Sequence, residues 1–127
     1  MRFVFGLRKY DHISQCYEQD KTLNMENRRK LHALILMHKI KLGIAPDYLS
    51  EKITRHLDLH DYNTRGRNNI AVQRVNTSIR SNSFFIYISK LYNDILPLFD
   101  VTANQTISVN SFRTKCKSHL KNLQFPQ

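Results

Sequence analysis

The residues best equipped for chemistry in this chain are cationic. The segment YNTRGR sets Tyr62, a ring able to stack on a base or sugar, beside the guanidinium groups of Arg65 and Arg67 around Gly66. Arginine bonds phosphate bidentately and aromatic stacking tolerates any base, so the pattern suits unselective contact with nucleic acid. The competing structural role has Tyr62 anchoring the loop on the core and Arg65 pairing with Asp58 or Asp61. Arg74 and Arg80 follow in a stretch that carries no acid between Asp61 and Asp94. Nearer the C-terminus, Arg113, Lys115, Lys117 and Lys121 occupy the polar side of a helical pattern. They give one broad positive face, which is either solvated or laid against backbone phosphate. These nine residues form the candidate nucleic-acid-binding set. The triplet Arg28, Arg29 and Lys30 is too short for a firm localisation signal, and a solvated helix face near Glu26 accounts for it.

Other chemistries find no foothold. His56 and His60 have the i, i+4 spacing of a metal pair, but Leu57 stands where a HExxH motif needs glutamate, so no metal site is expected. His32 and His38 lie in an apolar helical pattern and read as packed or hydrogen-bonded side chains. Cys16 and Cys116 stand far apart with no CxxC and no signature of a nucleophile around either. They read as reduced thiols, with Cys116 facing the core. Gly6, Gly43 and Gly66 are the only glycines, which excludes a GxGxxG or P-loop phosphate cradle. No enzyme, cofactor or small-molecule substrate motif emerges.

The elements that must position these residues are mainly helical. The run from Asn24 to Gly43 places Leu31, Leu34, Ile35, His38 and Leu42 on one stripe, with Leu36, Met37 and Ile40 on its flanks. A helix apolar over most of its circumference is one that others pack around, so this central helix, about 25–42, organises a small single-domain assembly. Asn24 is its N-cap, and Gly43 with Pro46 marks its end. Asp11 caps a short helix through Ile13, Cys16 and Tyr17. A helix from about Pro46 to Leu57 follows the central one, carrying Tyr48, Leu49, Ile53 and Leu57. DLHDYNTRGRNN has loop composition. Ile70, Val72 and Val75 alternate with polar residues, allowing a short β-hairpin near 69–80. Ser83 caps a helix ended by Pro97, although FFIYI suits the start of a strand equally well, and a last helix from about Val109 to Leu123 turns Phe112, Cys116, Leu120 and Leu123 inward.

Composition bounds the whole. At 127 residues, with 41% hydrophobic content, the chain fits one domain with one core. Its net charge is +10, and the excess lies in the second half: residues 1–64 hold 11 basic and 8 acidic side chains, residues 65–127 hold 9 and 2. Such an imbalance favours a polyanion, RNA or DNA first. No apolar run approaches the roughly 20 residues of a membrane span, and the N-terminus lacks the features of a signal peptide, so an intracellular place, nuclear or cytoplasmic, is expected.

Six blocks, taken in order, resemble the extreme C-terminal region of reverse transcriptases from jockey-type non-LTR (LINE-like) retrotransposons. They are RFVFGLRKYDHIS from Arg2, RRKLHALILMHKI from Arg28, GIAPDYL from Gly43, YNTRGR from Tyr62, SFFIYISKLYNDILP from Ser83 and SFRTKCKSHL from Ser111. Tyr92 stands where tryptophan is commoner in that family. The resemblance covers nearly the whole chain and suggests that Met1 is internal to a longer reading frame. It implies the tail of an RNA-directed DNA polymerase without its catalytic parts. Polymerase chemistry there needs metal-binding aspartates, including an adjacent pair, to hold two Mg²⁺ ions about 4 Å apart, and this sequence has no two adjacent acidic residues. The endonuclease constellation and a Cys/His zinc knuckle are missing as well. What the resemblance implies is a non-catalytic fragment holding RNA or DNA backbone near a polymerase. The alternatives are a structural module packed on that polymerase, and a decayed remnant with no present role.

Overall fold

Asn24 starts the central helix as the pattern predicts: its side-chain oxygen accepts a hydrogen bond from the backbone N–H of Asn27 at 2.8 Å. A computed structural model of the chain describes residues 1–62, 66–99 and 107–126. Among these, helix α1 spans Ser14–Gln19, α2 Met25–Lys41, α3 Asp47–Ser50, α4 His56–Leu59, α5 Ser78–Ser81, α6 Phe84–Ile95 and α7 Val109–Gln124, with a 3-10 turn at Leu96–Phe99. The fold is a small, mainly helical single domain.

Helix α2 is the hub, packing against α3, α6 and α7. Leu31, Leu34, Met37, His38 and Ile40 are buried along it, so it offers core surface around most of its middle. Ile88, Tyr92 and Ile95 of α6 and Phe112, Cys116 and Leu120 of α7 join the same core. Each fully buried Leu or Ile contributes about 1.5–3 kcal/mol. Polar bonds fix the register between α2 and α7. Gln124 Oε1 accepts from the Asn24 backbone N–H at 2.9 Å and from Asn27 Nδ2 at 3.0 Å, while Gln124 Nε2 donates to the Thr22 carbonyl at 3.1 Å. The start of the hub is thereby tied to the end of the last helix.

The end of α2 is a Schellman motif. The Ile44 N–H donates to the Lys39 carbonyl and the Gly43 N–H to the Ile40 carbonyl, each at 3.0 Å, with Gly43 at φ +70°. A Cβ there would meet nothing within 4 Å, so the cost of a side chain is the left-handed backbone alone. Gly43→Ala is therefore expected to lower stability by about 1 kcal/mol, read as a shifted urea midpoint at unchanged slope.

Several expectations change. Leu123, expected inward on α7, is 65% exposed, and His32, expected to be packed or hydrogen-bonded, is exposed on α2. Asp11 does not cap α1; Ile13 holds that position, and the Asp11 carboxylate instead accepts from the Arg8 backbone N–H at 2.7 Å. The helix expected from Pro46 to Leu57 is broken into α3 and α4, because Thr54 and Arg55 are drawn into extended pairing. The Thr54 carbonyl accepts from the Ala71 N–H at 2.8 Å, and the His56 N–H donates to the Asn69 carbonyl at 3.1 Å. The hairpin near 69–80 is not formed. Ile70 makes an isolated antiparallel bridge with Arg55, and residues 78–81 are helical. Both backbone groups of Ile70 are taken by the side-chain amide of Asn93, whose Oδ1 accepts from Ile70 N and whose Nδ2 donates to Ile70 O, each at 2.9 Å. An asparagine on α6 occupies the edge that a hairpin partner would need.

Candidate nucleic-acid interface

Helix α7 brings together four of the nine nominated residues. Its N-cap Ser108 accepts from the Ser111 N–H at 3.3 Å, and its inward stripe is Phe112, Cys116 and Leu120, all at most 2% exposed. Arg113, Lys117 and Lys121 form an i, i+4, i+8 row beside that stripe, with steps of about 6 Å along the axis. Arg113 and Lys117 are exposed and Lys121 is half-buried. Lys115 falls on the other flank, its Nζ 5.9 Å from the centroid of the Phe99 ring. The helix contains no acidic residue. Among the described residues the ion pairs are Lys30–Glu26 at 2.6 Å and Arg55–Asp58 at 3.2 Å, neither involving these cations.

The nominated residues of the middle stretch are placed less tightly. Tyr62 is 78% exposed, so it does not anchor its loop on the core; its nearest ring is His60, 5.9 Å between centroids. Arg65 lies outside the described residues. Arg67 is half-buried in a turn, its carbonyl accepting from the Leu57 N–H at 3.0 Å. Asp58, one candidate partner for Arg65, is instead bonded by Arg55, through the backbone N–H at 3.1 Å and through Nε at 3.2 Å. These bonds, the backbone one foremost, hold the Asp58 carboxyl below its usual range. Arg74 is exposed on the run before α5, and Arg80 is exposed on α5 itself.

The titratable residues of the interior are structural. His38 is 6% exposed and lies parallel to the Phe112 ring, centroids 4.1 Å apart. Its Nε2 donates to the Ile107 carbonyl at 2.9 Å, since a carbonyl only accepts, which leaves Nδ1 to accept from the Tyr92 hydroxyl at 3.0 Å. Burial lowers the His38 pKa against the opposing pull of the Ile107 bond, with the Lys41 charge adding to the depression. Lys41 is itself lowered, first by burial and then by the Arg55 charge, and its Nζ stands 5.6 Å over the Tyr92 ring. Burial raises Tyr92 and pushes the Cys116 thiol up to about 12, so Cys116 is inert at neutral pH. The His56 and His60 rings lie 6.0 Å apart and tilted, and among the described residues no three His, Cys, Asp or Glu gather as metal ligands.

Lys52 and His56 were not nominated, yet both line a cleft with Arg80. They escape a sequence reading because the break between α3 and α4 brings them to that wall, and α5 delivers Arg80 from 24 residues beyond His56. Among the described residues no helix is long and apolar enough to cross a membrane. No protein-family model, no curated protein and no solved structure matches the chain.

Proposed function

We propose that this chain is a non-catalytic module that grips the phosphate backbone of RNA or DNA, serving as the C-terminal portion of a retroelement reverse-transcriptase-like protein. The observation that carries the reading is the row Arg113, Lys117 and Lys121 on an acid-free helix. Regularly spaced cations without intervening carboxylates complement a linear polyanion better than a compact acidic protein surface. Arg67, Arg74 and Arg80 extend the positive field through a stretch free of acid. The six blocks resembling the retroelement family point to the same partner.

Binding to labelled single-stranded RNA and duplex DNA at about 50 and 200 mM salt tests the reading. The parent chain is expected to lose affinity steeply as salt rises. Replacing Arg113, Lys117 and Lys121 together by Gln should flatten the log–log salt slope by about 2–3, because each phosphate contact accounts for about 0.7–0.9 of it. An unchanged slope in the folded triple variant overturns the assignment of the row.

A second reading has its own observation. Phe3 is 98% and Val4 77% exposed, beside half-buried Phe5 and Leu7. Apolar groups left open in this way favour a structural module that packs on the polymerase body. A folded chain that binds no nucleic acid at about 50 mM salt would be the module of this second reading.

A further inference from the structure

The cleft of about 530 Å³ between the 52–59 segment and the start of α6 has a lining unlike that of two other clefts among the described residues. Those two carry carboxylates, Asp11 and Glu18 in one, Glu26 and Asp94 in the other. This one has none. Lys52 and Arg80 stand exposed at its edge with His56 half-buried beside them, while Ile70 and Ile86 are buried in its floor. Phe85 is half-buried in the wall, and Thr54 and Gln73 supply exposed polar groups. Ser83, also in the lining, is the N-cap of α6 but makes no side-chain cap bond, so it leaves the first-turn N–H groups of that helix unclaimed by its hydroxyl.

A cationic edge over an aromatic and aliphatic floor calls for a ligand with an anionic end and a flat, weakly polar body. The volume falls within the range of small-molecule sites. We propose that this cleft holds one unstacked nucleotide. The phosphate meets Lys52 and Arg80, the base lies against Phe85 and the aliphatic floor, and Gln73 and Thr54 reach its polar edge. The inference deepens the backbone-binding reading and rests on it for the source of the nucleotide, a single strand gripped elsewhere by the α7 row. The α7 row follows the strand by charge; the cleft makes a stop of fixed size, admitting a base only where the strand is unpaired.

The test uses the full chain with AMP, adenosine and inorganic phosphate as separate probes, followed by amide chemical shifts. A single-stranded oligonucleotide carrying 2-aminopurine is the fourth probe. AMP is expected to shift Thr54, Gln73 and Phe85 and to bind more tightly than adenosine or phosphate. Lys52→Ala with Arg80→Ala, both exposed positions, should weaken AMP binding by about tenfold or more while the fold is kept. Brightening of 2-aminopurine on oligonucleotide binding, because leaving its neighbouring bases relieves their quenching, identifies a strand as the source when the effect is lost in the same double variant. AMP binding without such brightening identifies a free nucleotide and overturns the strand source. Phosphate binding as well as AMP, or AMP shifts unchanged in the double variant, overturns the cleft. Salt-sensitive oligonucleotide binding that persists with no response from the cleft overturns this inference alone and leaves the backbone reading standing. Loss of oligonucleotide binding in the α7 triple variant, with AMP binding intact, shows the two sites acting separately, as proposed.

Discussion

Replacing His38 by alanine is expected to lower the unfolding free energy by about 3–5 kcal/mol, a large share of the total for a domain of this size. Two groups lose their partner at once, the buried Tyr92 hydroxyl and the half-buried Ile107 carbonyl. The Phe112 ring also loses the imidazole stacked 4.1 Å from it. Each unpaired polar group costs about 1–3 kcal/mol, and the vacated volume adds its own penalty. Tyr92→Phe removes only the hydroxyl and leaves the ring in place, so about 1 kcal/mol is expected.

The same histidine sets a pH signature. Its folded-state pKa lies below the usual value of 6.5 because burial disfavours the charged ring. Between that depressed value and 6.5 the unfolded chain binds the proton and the folded chain does not, so stability rises with pH there. The contribution is fully present above about pH 6.5 and is lost as the pH falls toward the folded-state value. Asp58 and Glu26, both lowered carboxyls at the surface, act only at more acidic pH. Urea titrations at about pH 7.5 and 5.5 separate the effects: the parent loses stability between them, Tyr92→Phe keeps that loss, and His38→Ala loses much less. Equal losses in the parent and His38→Ala would remove the histidine from this role.

The legible parts of the fold are those written in local period and punctuation. Helix α2 repeats its apolar residues at helical spacing between Asn24 and Gly43, and both ends form as those two residues dictate. Helix α7 is readable for the same reason, and with it the row of cations that carries the proposed function. The short helix expected to reach Leu57 looked continuous because Leu49, Ile53 and Leu57 keep helical spacing. Thr54 and Arg55 break it by pairing with Ala71 and Ile70, partners about 15 residues on. That preference is tertiary, and no local propensity records it. The burial of His38 could be inferred from its stripe. Its bond to Tyr92 spans 54 positions and has no sequence signal. The cleft was hidden for a related reason, since its two cations come from separate segments that the pairing of Arg55 with Ile70 helps to bring to one wall.

That bridge makes Asn93 the other position of large expected effect. Its amide satisfies both backbone groups of Ile70, a residue 2% exposed, so Asn93→Ala leaves a donor and an acceptor buried without partners. The expected cost is about 2–4 kcal/mol. Asn93→Asp is expected to cost at least as much: one oxygen still accepts from Ile70 N, but the other now faces the Ile70 carbonyl, oxygen against oxygen, in a half-buried place. The damage should be regional before it is global. The amides of His56, Ile70 and Ala71 depend on the bridge, whereas the α2–α7 contact is held by core packing and by Gln124. Hydrogen exchange is expected to accelerate first at those three amides, with α2 and α7 still protected. Because Ile70 floors the cleft, AMP binding should weaken in the same variant while the row on α7 keeps its salt-dependent grip on oligonucleotides. An Asn93→Ala chain within about 0.5 kcal/mol of the parent would show that the amide is dispensable and that Ile70 finds its partners elsewhere.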